Sequence, residues 1–372
     1  MHVVVDGSFC TGAPSGIERY VTQVVVRLAR RAEVTVLSPA PRVFDGLVQN
    51  VIPIPSWTGG HRSRVLWQLS LMHRYCSRRH DILFCPVPVA PPLSPVPVVS
   101  VVHDLTPLIL HRWHGTQQKS LFWLSLQSLR RASAVLADSE NTRRDFLNLR
   151  LVAPNRVRVA PLGSAVKPNV HLDDLAASLR PFVLYVGCLY PHKNLLRLMS
   201  AYKQVCLNSS VRLVIAGTDI PVWVSRTRNA IARENLEGRV VMLGEVSDAE
   251  LAGLYRQCEA FVFPSLYEGF GLPVLEAMSN GAPVVCSNAS SLPEVAGDSA
   301  VYFDPRDAND IARALMFVLA NPAEAGRMRE SGHARSLAFS WDRTAEIVFL
   351  TLEQVLAGRH HSPIRSLASI TS

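Results

Sequence analysis

Short apolar runs alternate with amphipathic runs along most of this chain, and that alternation leaves little choice beyond α/β layers built on parallel, doubly wound sheets. HVVVD is followed by SGIERYVTQVVVRLARR, and VTVLS, PVVSVV, AVLADS and RVRVAPLG continue the pattern. In the first amphipathic run Ile17, Tyr20, Val21, Val24 and Leu28 share one helical face, while Arg27, Arg30 and Arg31 gather at the end where the helix dipole favours cations. The rhythm lapses in SAVKPNVHLDDLAASLR, which reads as a linker, and then restarts with PFVLYVG, VRLVIAG, RVVMLGEV, AFVFPS and APVVCSN. Ser247 and Glu250 fit a capping box ahead of one helix, and residues 341–357 read as a last helix with a loosely ordered tail behind it. The expected organisation is therefore 1–165, 166–345 and a C-terminal helix and tail over 346–372. A length of 372 residues with 48% hydrophobic content suits two cores of ordinary size.

Charge is unevenly shared. Residues 1–165 carry 19 Lys and Arg against 9 Asp and Glu, and the remainder 19 against 21. A basic N-terminal half suggests an anionic partner, which by charge alone could be nucleic acid, an anionic membrane face or a phosphorylated acceptor, with a generically basic surface as the plain alternative; nucleic acid is not the expected partner. The longest apolar stretch, Val87–Val102, is broken by prolines and gives no bilayer span. MHVVVDG lacks the features of a secretory leader, so a cytoplasmic location is expected. Seven cysteines stand singly, which reads as reduced thiols, and neither they nor any D-x-D pattern suggests a metal site.

Three segments carry candidate chemistry. In AFVFPSLYEGFGLPVLEAMSNG a buried strand ends near Pro264, and a glycine-bearing loop leads into a short helix with Pro273 in its first turn. The amides of Phe270, Gly271 and Leu272 would point out of that helix N-terminus, where a phosphate is favoured. Glu268 and Glu276 flank the cradle; two carboxylates there suit sugar and ribose hydroxyls better than phosphate. In LYVGCLYPHKN a strand ends at Gly187, and Lys193 follows at the start of a helix, placed to neutralise a diphosphate as a point charge. In VVSVVHDLTPL, His103 and Asp104 end a buried strand, and a histidine there serves structure as readily as function.

EGFGLPVLE, two glutamates separated by seven residues, resembles the signature of family 4 retaining glycosyltransferases. That family has the GT-B fold, two Rossmann-like domains facing a cleft. The resemblance implies that Glu268 contacts the transferred sugar and Glu276 the nucleotide ribose. LYVGCLYPHKN is similar to the family's G-x-L-x-P-R-K-N loop and implies diphosphate binding by Lys193. His192 stands there in place of the usual Arg, and Cys188 where many members carry a second phosphate-binding Arg. HDLTPL resembles the family's active-site histidine loop, which places His103 beside the donor sugar. SGIERY is similar to G-I-G-R-Y, whose glycine, here Gly16, lets the backbone approach the donor; Glu18 departs from the pattern. ADSENTRRDF and SSLPEVAGDSAVYFDP also fit, so the likeness runs from about residue 1 to about 350.

The implied activity is transfer of a sugar from a nucleotide-diphosphate donor to a saccharide or lipid-linked acceptor, with retention and without a cofactor, in cell-surface polysaccharide synthesis. GDP-mannose is the expected donor, and UDP-glucose, UDP-GlcNAc and deoxyhexose donors stay open. An epimerase or hydrolase on the same fold and a non-catalytic carbohydrate-binding scaffold are the other readings. A nicotinamide oxidoreductase is disfavoured because DGSFCTGAPSG is not G-x-G-x-x-G. Arg62, Arg64, Arg74, Arg78 and Arg79, with the run from His111 to Arg131 that includes Trp113, Phe122 and Trp123, form the stretch expected to meet an anionic membrane, unless its aromatics are simply core.

Overall fold

The computed structural model describes residues 1–12, 15–77, 79–110, 115–164, 166, 174–217 and 221–358. The expected linker over 167–173, the expected tail from residue 359, and Arg78, Arg112 and Trp113 lie outside the described residues. The chain divides into two compact units, one made of residues 1–162 with the chain from Trp341 onward, the other of Gly163–Ser340.

The first unit has strands β1 (His2–Asp6), β2 (Glu33–Ser38), β3 (Asn50–Pro53), β4 (Ile82–Cys85), β5 (Val98–Val102), β6 (Ala134–Ala137) and β7 (Val157–Val159). They form one parallel sheet in the order β3-β2-β1-β4-β5-β6-β7. Its helices are α1 (Gly16–Leu28), α2 (His61–Ser70), α3 (Thr106–Ile109), α4 (Thr116–Ser128) and α5 (Glu140–Asn148). The central strands are apolar on both faces because helices cover both, and Val3, Val4, Val5, Val99 and Val101 are fully buried.

Ser15 caps α1 by accepting from the Glu18 amide, and Tyr20, Val21, Val24, Val25 and Leu28 are its buried face. Glu18 in turn accepts from the Gly12 amide, which gives this departure from the family pattern a loop-fixing role. A helix from the far end of the chain, Trp341–Ala357, lies against α1 in this unit. It buries Trp341, Ala345, Val348 and Leu352. Arg27 pairs with its Asp342 at 2.9 Å, and Arg31 pairs with Glu346 while its guanidinium sits 3.7 Å over the Phe349 ring. Two of the cations that made the N-terminal half look basic are therefore engaged by acidic residues remote in sequence.

The second unit has strands β8 (Phe182–Val186), β9 (Arg212–Ala216), β10 (Val240–Gly244), β11 (Ala260–Phe263), β12 (Val284–Ser287) and β13 (Ala300–Phe303), all parallel, in the order β10-β9-β8-β11-β12-β13. Around them stand α6 (Asp174–Leu179), α7 (Leu195–Asn208), α8 (Pro221–Arg233), α9 (Asp248–Gln257), α10 (Leu272–Ser279), α11 (Leu292–Ala296), α12 (Ala308–Ala320) and α13 (Pro322–Ser336); the remote helix of the first unit is α14. The capping box at α9 is formed as expected, with the Ser247 hydroxyl accepting from the Glu250 amide and the Glu250 carboxylate from the Ser247 amide. The end of the expected linker is instead helical, since α6 packs on α9 and buries Ala176 and Leu179.

Candidate active site

In the second unit, strands run outward in one direction from β8 through β9 to β10 and in the other from β11 through β12 to β13. The winding reverses between β8 and β11, and the carboxyl ends of the strands at such a reversal are the usual ligand position in these sheets. The two motifs read from the sequence follow these two strands. LYVGCLYPHKN leaves β8, YEGFGLPVLE leaves β11, and the pairing of Leu184 with Phe261 sets them side by side.

Asn194 ties the loops together. It adopts the left-handed region at φ 63°, and its side-chain amide donates to the carbonyls of Pro264 at 3.0 Å and Pro305 at 2.6 Å. The Leu266 amide donates back to the His192 carbonyl. Lys193, fixed between these contacts, reaches Glu268 with Nζ 2.6 Å from Oε1; each side chain is only 12% exposed. Glu268 is held through its backbone as well, its amide donating to the Ser290 hydroxyl and its carbonyl accepting from Ser291.

Gly271 caps α10 at φ 105°, and a Cβ there would stand 2.6 Å from Leu292 Cδ2, so both the conformation and the space call for glycine. Among the described residues, the amides of Phe270, Gly271 and Leu272 find no acceptor, as the first turn of a helix without a side-chain cap leaves them. The Phe270 ring itself is buried and meets Phe339 edge-on, so that residue offers only its backbone to a ligand. Glu276, one turn into α10, is 5% exposed and accepts from the Tyr255 hydroxyl at 3.4 Å. Gly187, at φ 144°, closes β8 against Gly217 at the end of β9, where a Cβ on Gly217 would lie 2.2 Å from the Gly187 carbonyl oxygen. Lys193 and Glu268 thus meet across the two loops, with Phe270 and Gly271 on the loop of Glu268 and Leu272 and Glu276 on the helix it leads into, and Gly187 has a packing role the sequence did not reveal.

The sheet of the first unit reverses in the same way between β1 and β4. Gly16 opens α1 with nothing within 4 Å of where its Cβ would be. His103 follows β5, and the pairing of Val102 with Ala137 puts it next to Asp138, which follows β6. Its Nδ1 is 2.8 Å from Asp138 Oδ2 and its Nε2 is 2.9 Å from the Pro86 carbonyl oxygen in the loop after β4. Tyr20 of α1 meets the ring edge-on at 4.9 Å. Burial works against a charge on His103, but the Asp138 carboxylate beside it, together with its hydrogen bond and that of Pro86, outweighs this and raises the pKa above the ordinary histidine value. Sequence reasoning found His103 and missed Asp138, although ADS at a strand end one strand further along was the signal.

Residues 173–335 match the family model described as glycosyl transferases group 1, and residues 14–164 the model described as glycosyltransferase family 4. The chain is 32% identical over 263 residues to O-antigen chain mannosyltransferase B of Escherichia coli, covering 66% of this chain and 67% of that protein. It is 31% identical over 302 residues to the serotype-specific mannosyltransferase WbdA of Escherichia coli, covering 76% of this chain but 37% of that longer protein. Among solved structures, sucrose-phosphate synthase from Thermosynechococcus elongatus superposes with a TM-score of 0.80 at 21% identity, over 96% of this chain and 100% of that one. HepE of Anabaena in complex with UDP-glucose superposes with a TM-score of 0.77 at 20% identity, over 95% and 100%.

Proposed function

We propose, from the premise that this chain belongs to glycosyltransferase family 4 and has the GT-B fold, that it is a retaining transferase taking mannose from GDP-mannose to a saccharide acceptor. The observation that carries the reading is the meeting of Lys193 and Glu268 beside the uncapped N-terminus of α10, at the carboxyl ends of β8 and β11. The amides of Phe270, Gly271 and Leu272 and the dipole of α10 suit a diphosphate, and Lys193 adds a full charge. On donor arrival the ammonium turns from carboxylate to phosphate, which releases Glu268 for sugar hydroxyls. Glu276, steadied by Tyr255, takes the ribose.

In the retaining reaction the acceptor hydroxyl attacks from the face the diphosphate leaves, and the leaving phosphate oxygen takes its proton. The protein then needs no nucleophile of its own. Its contribution is orientation, with charge placed where the leaving group gains it. Gly16 and His103 of the first unit are assigned to the donor side by their motifs. Mannose is favoured by the names of the relatives, both mannosyltransferases. A lipid-linked acceptor in polysaccharide assembly at the cytoplasmic face of a membrane fits the basic first unit.

The deciding experiment screens nucleotides and nucleotide sugars by thermal shift, then follows radiolabelled sugar into product. GDP and GDP-mannose should raise the melting temperature by mass action while UDP and its sugars do not, and label should enter an α-linked product only with acceptor present. Stabilisation by UDP-sugars alone overturns the donor; consumption of donor equal with and without acceptor overturns transfer in favour of hydrolysis.

A further inference from the structure

The His103 ring lies between two oxygens, those of the Asp138 carboxyl at Nδ1 and the Pro86 carbonyl at Nε2. A neutral imidazole has one N–H, so against a charged Asp138 one of these contacts would be two lone pairs face to face; the ring protonated on both nitrogens satisfies both, and a neutral ring does so only if Asp138 itself carries the proton. The Pro86 carbonyl never donates; burial pushes the Asp138 carboxyl up, while the charge of His103 and its hydrogen bond pull it down. The other Asp138 oxygen, Oδ1, is buried without a hydrogen-bond partner among the described residues, as are the Tyr20 hydroxyl and the Trp341 Nε1 on the neighbouring α1 and α14. The Tyr20 ring stands 4.9 Å from His103 and 6.1 Å from Trp341. Of the groups that bear on the ring, Asp138 from β6 and the adjacent Asp104 favour its charge, while Tyr20 from α1 is held neutral by burial.

We propose that Asp138 is a positioning residue for sugar transfer, holding His103 as an imidazolium clamped between its own carboxylate and the Pro86 carbonyl, so that His103 neither takes nor gives a proton during turnover. The proposal rests on His103 lying at the donor, as its motif implies. It differs from a histidine base in a definite way, because both nitrogens are spent on the fold. What the residue offers a substrate is its backbone and the C–H edge of a ring that the two contacts hold in one place. The carboxylate balances the imidazolium, so the clamp fixes a shape without adding net charge to the site.

The test uses the full chain labelled with ¹⁵N-histidine, the His103 resonances being assigned by their loss in His103→Gln. In the wild type both ring nitrogens should carry protonated shifts at pH 7. In Asp138→Asn, which keeps the size of the side chain, the ring should lose its proton at a lower pH than in the wild type. That variant should show kcat reduced roughly tenfold or more with donor KM little changed, and should lose further activity as pH rises through the lowered pKa. In His103→Gln the added Asp138→Asn change should cost nothing more, because the residue it positions is gone. A wild-type ring neutral at pH 7, or an Asp138→Asn enzyme with the wild-type pH profile, overturns the proposal. The ring spectra need no turnover, so failure of the transferase reading would show separately, as a wild type that binds no nucleotide sugar.

Discussion

Lys193 and Glu268 hold each other at 2.6 Å in a place shielded from most solvent, and a phosphate that binds beside α10 competes with that carboxylate for the ammonium. The competition predicts selectivity. Lys193→Ala should lose affinity for a nucleoside diphosphate by roughly tenfold or more, as expected for a charge-assisted contact, yet barely alter affinity for the monophosphate. Calorimetric titration of both ligands checks it, and equal losses would remove Lys193 from the diphosphate. The residues on these two loops were legible in the sequence because each motif is local: strand end, glycine, charged residue and helix start follow within about ten positions. Asp138 was not, because its meaning comes from the register of β5 against β6, which brings together residues 35 apart. Nor does either motif announce that Glu268 has Lys193 as its partner, because the two lie 75 positions apart and meet only across the paired ends of β8 and β11.

At the scale of elements, the helix faces and most of the strands were readable because a doubly wound sheet writes them as uninterrupted apolar runs. Short strands such as β3 and β4, of four residues each, carry too few positions to stand out from loops. The mutual approach of β8 and β9 at their carboxyl ends was also hidden, since it depends on two glycines 30 positions apart. A contrast of two substitutions tests how much that approach matters. Gly217→Ala puts a methyl 2.2 Å from the Gly187 carbonyl oxygen at φ 145° and should cost about 2 kcal/mol or more. Gly326→Ala, inside α13 with nothing within 4 Å, should be neutral or stabilising by up to about 1 kcal/mol. Urea unfolding measures both, and equal effects would mean that the β8–β9 contact can yield.

For the whole molecule, assigning α14 to the first unit leaves the charge division as it was. The first unit carries 22 Lys and Arg against 12 Asp and Glu, the second 16 against 18. The stretch expected to meet a membrane is neither all core nor all surface: Leu126 and Leu129 are buried, Phe122 is partly so, and Leu66, Trp123 and Leu124, with Trp57 just ahead of the stretch, are each at least 41% exposed. Arg62 of α2 bonds Gln117 of α4, which links the two helices that carry three of these four residues. No helix among the described residues is long and apolar enough to cross a membrane. If the first unit docks on an anionic bilayer, sedimentation with anionic vesicles should exceed that with neutral vesicles and fall with salt, each basic residue at the surface contributing about 1 kcal/mol. Equal sedimentation with both vesicle types would remove the membrane from the account.

The position of α14 also bears on how the chain is made. A ribosome delivers residues 1–162 long before Trp341, so the buried face that α1 shares with α14 waits, uncovered, while the whole second unit emerges. Synthesis that halts before residue 341 leaves the second unit's residues complete and the first without one of its walls. The part made first is the part finished last, and a truncated product would expose apolar surface on its N-terminal unit to the cell's quality control.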